Sequence, residues 1–448
     1  MSESTVKLIE QPRYGCAIAA QQTVLAIPGA LPILHAGPGC AEKAYAFSAQ
    51  GAGFQGEGYG GGAHITSSNM GEQDVVFGGE NKLRQNIQGA LKILKGELYA
   101  VLTGCTADIV GDDSVSVAKE FAEKGYPVIG VETAGFKGSN YYGHEAVLEA
   151  IIEQFTGERL PQVTKGLVNV FSSVPFQDPF WRGDLEEVKR LLSALGLEVH
   201  VLFGSSSSGT CEWKALPDAE LNLLLSPWVG LKTVKLLEKR YGTPFFQYPM
   251  LPVGAEETSD FLRTIAKIVD REQEAERLIV KEESRFYDYF ISVSDFISEF
   301  QNKIPEVFYL IADSHYAVGI STFLLRELGI LPGNIYITDN PTAEVQKAIY
   351  QNLREQGEEF DGHIQFEVDG GLIERDLKKS LQNDARAIIL GSSWEKFIAQ
   401  DYGAQYLYLS LPINERVITN RSYVGYNGGL ALIEDIYTSL FQKGTIVR

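Results

Sequence analysis

The chain has 448 residues, of which 44% are hydrophobic, and its 39 basic and 58 acidic side chains leave a formal net charge of -19. That length predicts about two to four domains, and the apolar content excludes a disordered chain. The acidic balance argues against nucleic acid and against an anionic membrane surface, since both attract basic proteins.

In chain order, Met1–Gln11 is polar and carries no signal-peptide core, and no run reaches the roughly 18 apolar residues of a membrane span. The chain has only 4 cysteines, too few for a disulfide framework, so a reducing, cytoplasmic compartment is expected. Cys16, Cys40 and Cys105 all lie in the first quarter, each after a turn signal: Tyr14-Gly15, Gly37-Pro38-Gly39 and Thr103-Gly104. Between them, Gly51–Gly62 is rich in glycine. It neither follows a strand nor opens a clear helix, so it reads as a loop rather than a dinucleotide fingerprint.

Short apolar runs then alternate with amphipathic stretches, the pattern of α/β units. The fold class expected is α/β, with three doubly wound, Rossmann-like domains of parallel sheets over residues 1–162, 163–300 and 301–448. In the first, strands at Tyr99–Thr103 and Pro127–Val131 flank a helix at Asp113–Gly125. In the second come the strand Leu167–Phe171, the helix Leu185–Leu195 and the strands Glu198–Phe203 and Leu221–Leu225. The helix Leu231–Tyr241, the strand Phe245–Tyr248 and a helix over Thr258–Val269 follow, and a long helical stretch runs from Arg271 to Phe300. The third has strands at Val307–Ile311, Asn334–Thr338, Ile364–Val368, Ala387–Leu390 and Tyr406–Leu409. Its helices are Ala317–Leu328, Ala343–Glu355 and Gly429–Phe441. Ligands of such sheets sit beyond the C-terminal ends of the strands, which is where Cys105 falls.

Thiolates suit zinc or an iron–sulfur centre. Zinc sites use close cysteine pairs, and none exists here. Three thiolates leave a cubane one ligand short, which a partner chain at an interface would remedy. Gly39 permits close backbone approach, and a helix opening at Cys40 would favour a negatively charged centre. Three unrelated buried cysteines remain the plain alternative. Cys211, after the Ser205–Ser208 turn, reads as structural, and the histidines show no metal-ligand spacing. His35 reads as a hydrogen-bonding residue of the Cys40 turn.

The ordered segments His35-Ala36-Gly37-Pro38-Gly39-Cys40, Asp74-Val75-Val76-Phe77-Gly78-Gly79 and Cys105-Thr106-Ala107-Asp108-Ile109-Val110-Gly111-Asp112-Asp113 resemble the nitrogenase component 1 family. Pro227-Trp228, Gly391-Ser392-Ser393-Trp394-Glu395-Lys396-Phe397-Ile398, Pro412-Ile413-Asn414-Glu415-Arg416 and Gly425-Tyr426-Asn427-Gly428-Gly429 are similar to its beta-type (K-type) subunit. The alpha-type subunit holds an active-site metal cofactor through a cysteine and a C-terminal histidine. Here Ser226 stands at the cysteine position and no histidine follows His363.

The resemblance implies an oxidoreductase subunit without catalytic residues of its own. Cys16, Cys40 and Cys105 would supply half of a P-cluster-type [8Fe-7S] centre (or a [4Fe-4S] centre in a divergent relative) shared with the alpha-type subunit. The implied assembly is an α2β2 heterotetramer that receives electrons from a homodimeric, ATP-dependent Fe protein docked near Phe77, while the active-site metal cofactor lies in the partner chain. For Phe77, a core aromatic is the alternative. Gly135 replaces a serine able to ligate the oxidised cluster, and Ser68–Gln73 also departs from the beta-type pattern. These departures widen the substrate from dinitrogen to a methylthio-alkane-like molecule. The rival readings are a cofactor-assembly scaffold of the same fold and a non-redox sugar- or nucleotide-binding α/β protein.

Overall fold

Three parallel sheets carry the chain in a computed structural model that describes residues 9–42, 51–55, 64–383 and 386–442. In the N-terminal sheet the strands lie in the order Thr66–Ser67, Ala30–His35, Leu98–Thr103, Val128–Val131. The middle sheet runs Glu198–His200, Thr164–Phe171, Ala219–Leu225, Phe245–Tyr248, and the C-terminal sheet Ile364–Phe366, Leu331–Ile337, Val307–Ala312, Ala387–Gly391, Gln405–Tyr408. In each, the strand that comes first in the chain lies inside the sheet, so the order reverses beside it. That reversal opens a crevice at the strand ends, the usual ligand position of doubly wound sheets. In the N-terminal sheet it lies between Ala30–His35 and Leu98–Thr103, which pair in parallel from Ala30↔Leu98 to His35↔Thr103. Both strands are buried along their whole length, because helices cover both faces.

A small parallel pair, Ala52–Phe54 with Ile413–Val417, ties the first quarter of the chain to its C-terminal region. Most of the glycine-rich segment expected to be a loop, residues 56–63, lies outside the described residues. One continuous apolar core runs through all three sheets. At its centre the Phe180 ring meets Tyr316 at 6.0 Å and Tyr423 at 4.6 Å. Asp184 accepts hydrogen bonds from the Tyr316 hydroxyl (2.5 Å), the Ser422 hydroxyl (2.7 Å) and the Tyr423 amide (3.2 Å), joining segments from two sheets.

Several elements depart from their sequence expectations for local reasons. The long helical stretch from Arg271 breaks at Val293 into Glu272–Ser292 and Ser294–Phe300. The second piece turns so that Phe296 packs on Tyr437 and Phe441 of the last helix. The strand expected over Glu198–Phe203 stops at His200, because Leu202 adopts φ 67° to donate its amide to Glu212. The last helix starts at Gly425, four residues early. Gly428 and Gly429 belong inside it because a Cβ at either would strike backbone, that of Tyr423 and of Gly254 respectively. Among the described residues no helix is long and apolar enough to cross a membrane.

The helix expected from Thr258 begins at Gly254, where the Glu327 carboxylate accepts the Ala255 amide at 3.1 Å and the Glu256 amide at 3.0 Å. Burial pushes the Glu327 carboxyl up from 4.5 to about 7, against those two amides. A carboxyl raised on folding contributes stability that is complete below its unfolded value and is lost as pH rises through its folded value. Stability is therefore expected to fall between about pH 4.5 and about pH 7 by up to about one proton's worth of slope from this group. Thermal melts across that range should show a flatter dependence in Glu327→Gln; an unchanged slope would refute the assignment.

Candidate metal centre

All three cysteines flanking the N-terminal crevice sit at helix starts. Cys105 is the first residue of the helix Cys105–Val110, directly after the strand Leu98–Thr103 and Gly104. Cys40 lies in the first turn of a helical segment that begins at residue 38, past the neighbouring strand Ala30–His35. Cys16 precedes the turn Ala17–Ala19, which leads into the helix Ala20–Leu25. Helix starts direct amide N–H groups and partial positive charge at whatever sits on them, which suits anionic sulfur.

Gly135 is where two of these sulfurs meet. Its amide donates to Cys105 Sγ at 3.1 Å. A Cβ at Gly135 would collide with Cys16 Sγ and come within 3.3 Å of Cys105 Sγ. Only a glycine leaves that space open. Cys40 is held at the same edge by a different tie: the Gln21 side chain, from the helix after Cys16, donates to the Cys40 carbonyl at 3.1 Å. The Cys16 turn is fixed on its other side by the bridge to Ser139 and by the Gly15 amide, which donates to Asn140 Oδ1 at 2.8 Å.

Cys16 is exposed, and Cys40 and Cys105 are half-buried. Cysteines that serve packing alone are usually closed off. Among the described residues, no three His, Cys, Asp or Glu side chains come together as a group that could hold a metal ion: Cys16 and Cys105 meet at Gly135, and Cys40 does not join them there. The donor set is soft, open on one side, and spread over three strand and loop ends. It fits a multi-iron centre better than zinc.

Behind the cysteines, His35 is fully buried, with Nδ1 2.9 Å from Ser68 Oγ and Nε2 2.9 Å from Asp112 Oδ2. The carboxylate can only accept, so Nε2 carries the proton and Nδ1 accepts from Ser68. Burial lowers the His35 pKa, opposed by the neighbouring Asp112. Ser68, His35 and Asp112 are ordered as in a hydrolase triad, but Ser68 is buried as well. The group instead locks loops: Asp112 also accepts the Gly79 amide at 2.9 Å and 3.0 Å, and the His35 carbonyl accepts the Gly104 amide at 2.9 Å. His35 is thus a hydrogen-bonding residue of the Cys40 turn. Sequence spacing gave no signal for Asp112, Asn140 or Gln21, whose partners are distant in the chain.

Gly79 follows the short helix Glu72–Phe77, which packs on the cysteine-bearing helix Cys105–Val110 and buries none of its own residues. Phe77 is 85% exposed, so it closes no core. Val76, Ile109 and Phe136 are also exposed. Exposed apolar side chains grouped in this way are a common feature of contact surfaces.

Elsewhere, Cys211 is exposed in the first turn of the helix Thr210–Ala215 and fills no core. Ser226 is buried, with its hydroxyl accepting the Trp228 amide at 3.3 Å. His363 lies between Phe360 and the strand Leu331–Ile337, held through its backbone.

Residues 15–441 match the family model described as nitrogenase component 1 type oxidoreductase. The chain is 26% identical over 406 residues to a nitrogenase molybdenum-iron protein beta chain of Bradyrhizobium diazoefficiens, covering 84% of this chain and 74% of that one. It is 24% identical to the beta chain of Clostridium pasteurianum over 85% of this chain and 83% of that one. An alpha chain from Methanococcus maripaludis is 25% identical over 84% of this chain and 74% of its own length. The solved structure described as "Nitrogenase Cp1 at pH 6.5" superposes with a TM-score of 0.78 at 20% identity, over 99% of this chain and 95% of that one.

Proposed function

The chain belongs to the nitrogenase component 1 type oxidoreductases, and from that premise we propose that it is the beta-type, electron-relay subunit of a nitrogenase or nitrogenase-like reductase. In this reading Cys16, Cys40 and Cys105 hold half of an iron–sulfur centre of the P-cluster type, and an alpha-type partner supplies the other half and the active-site metal cofactor. When bound, such a centre supplies one-electron transfer. This chain's own part is to fix three thiolates at one sheet edge, to keep room beside them with Gly135, and to brace their loops through His35 and Asp112. The convergence of Cys16 and Cys105 on Gly135 is the observation that supports this most directly.

The α2β2 assembly, the ATP-dependent Fe protein as electron donor, the cytoplasmic location and the substrate, dinitrogen or a methylthio-alkane-like molecule, belong to the same proposal. The division into domains over residues 1–162, 163–300 and 301–448 does too. Anaerobic co-purification with the partner chain, followed by iron, sulfide, molybdenum and vanadium analysis, tests it. About eight iron atoms per αβ pair in the interfacial centre are expected for a full P-cluster-type set. An iron-free complex would rule the reading out, and iron without turnover would favour the assembly scaffold.

Phe77 is assigned to the face that docks the reductase. Large exposed aromatics at such faces are common hot spots, worth about 2 kcal/mol or more when truncated. Phe77→Ala is therefore expected to raise the reductase concentration needed for half-maximal turnover by about 30-fold, with iron content and thermal stability unchanged. An unaltered concentration dependence would remove Phe77 from the interface.

A further inference from the structure

The junction between the sheets holds a group of acids that the cysteine site does not use. Asp178, Asp184, Asp313 and Asp339 are all buried. Among the described residues, no lysine or arginine forms an ion pair with any of them; their donors are neutral. Asp178 accepts the Val174 amide, and Asp184 the hydroxyls of Tyr316 and Ser422. Asp313 caps the helix Ser314–Arg326 by accepting the His315 amide at 2.9 Å and the Tyr316 amide at 3.2 Å. Asp339 accepts the Ser314 hydroxyl and, at 2.7 Å, the Trp228 indole, while its Oδ1 has no partner.

His315 is the second observation. Its side chain is only 7% exposed, and Nε2 faces Asp178 Oδ2 at 4.0 Å. Neither ring nitrogen makes a hydrogen bond, although the Leu225 carbonyl lies nearby, and burial pushes the ring down to about 3, so it stands neutral beside the acids. Four mutually repelling carboxylates without a cation cannot all stay ionised in an apolar interior. Burial, with repulsion from Asp339, pushes Asp313 up to about 7; burial, with repulsion from Asp313, holds Asp178 well above the carboxylate range. The other titratable or charged groups facing the junction are Tyr141, Tyr316 and Arg13. Burial and the nearby carboxylates push both tyrosines up and so keep them neutral, and Arg13 is paired with Glu395.

The junction reaches the cysteine site. A cavity of about 10 Å³, the room of about one water, is lined by Asp313, Gln177, Asn140, Gly15, Tyr14 and Arg13. Gly15 directly precedes Cys16. Its amide donates to Asn140, whose Nδ2 donates at 3.0 Å to Gln177, the neighbour of Asp178.

We propose that Asp178, Asp313, Asp339 and His315 form a buried proton-holding site that takes up one proton when the centre held at Cys16, Cys40 and Cys105 gains one electron. This rests on the iron–sulfur reading above. The electron comes from the ATP-dependent reductase and stays on iron. The proton comes from solvent and ends on a carboxylate oxygen of the group. The added negative charge acts through a weakly screening interior and raises the proton affinity of the acids.

The test is an anaerobic redox titration of the assembled complex, followed by electron paramagnetic resonance at several pH values around neutrality. The wild-type potential should become more negative as pH rises, and Asp178→Asn and Asp313→Asn should lose most of that slope while keeping full iron. A pH-independent wild type, or variants with full iron and the wild-type slope, would overturn the proposal. So would a stoichiometric divalent cation that Asp313→Asn removes. If the variants fail to fold, the reduced-minus-oxidised infrared difference of the wild type decides: a deuterium-sensitive carboxylic acid C=O band must grow on reduction, and its absence overturns the site. An iron-free wild-type complex overturns the underlying reading and this inference together, whereas iron with unchanged slopes overturns only the inference.

Discussion

Replacing Cys105 with alanine is expected to strip the interfacial iron from the assembled complex and to lower turnover by more than about 100-fold, the upper range for lost metal-site support. Cys105 Sγ holds the central place in the site: it accepts the Gly135 amide and sits at the end of a fully buried strand. The fold should survive. Cys105 is half-buried and its loss opens no core cavity, so the stability of the chain should change by no more than about 0.5 kcal/mol. Iron and sulfide per chain, read beside far-ultraviolet circular dichroism, separate ligand loss from unfolding. Cys211→Ala serves as the control and should keep full iron, because Cys211 stands exposed on a different helix. Full iron in Cys105→Ala would sink the assignment of the thiolate set.

The largest expected loss of stability comes from Glu395→Ala. Arg13 and Glu395 form a buried ion pair, and Arg13 also donates to Ser392 Oγ at 3.0 Å and lies over the Trp394 ring at 4.4 Å. Removing one partner leaves the other charge buried and unmatched, which costs about 3–5 kcal/mol. The damage should not stay local. Arg13 also donates its amide to the Val368 carbonyl, so it fixes the N-terminal segment on the C-terminal sheet three residues before Cys16. Urea unfolding of the chain should show the lowered midpoint, and the loaded complex should lose iron although no ligand has changed. A midpoint within error of wild type would show that water or another group compensates Arg13.

The cysteine turns were legible in the sequence because glycine marks each of them and because buried parallel strands read as unbroken apolar runs. The crevice was only half legible. Leu98–Thr103 stands out as such a run, but Ala30–His35 contains a proline and a histidine, and only pairing to its neighbour shows it to be the strand at the reversal. The Gly425–Gly429 segment misled by composition: glycines that ordinarily end helices are placed there to let the helix approach Tyr423 and Gly254. The acids of the junction gave no signal at all, since Asp178 and Asp339 are 161 positions apart and each looks like an ordinary surface aspartate.

By itself the sequence determined the α/β class, the three cysteines at their turns and the ordered motifs of the family, because these depend on local runs, turn residues and residue chemistry. Only the tertiary structure decided which groups share a site. It brought Cys16 and Cys105 to Gly135, turned Phe77 outward rather than into a core, braced His35 on Asp112, and buried four carboxylates at the junction between the sheets, with Asp178 facing His315. The physical reason is the same in each case. Burial and contact between residues far apart in the chain are set by how the sheets pack, and packing energy belongs to the whole fold rather than to any segment of it.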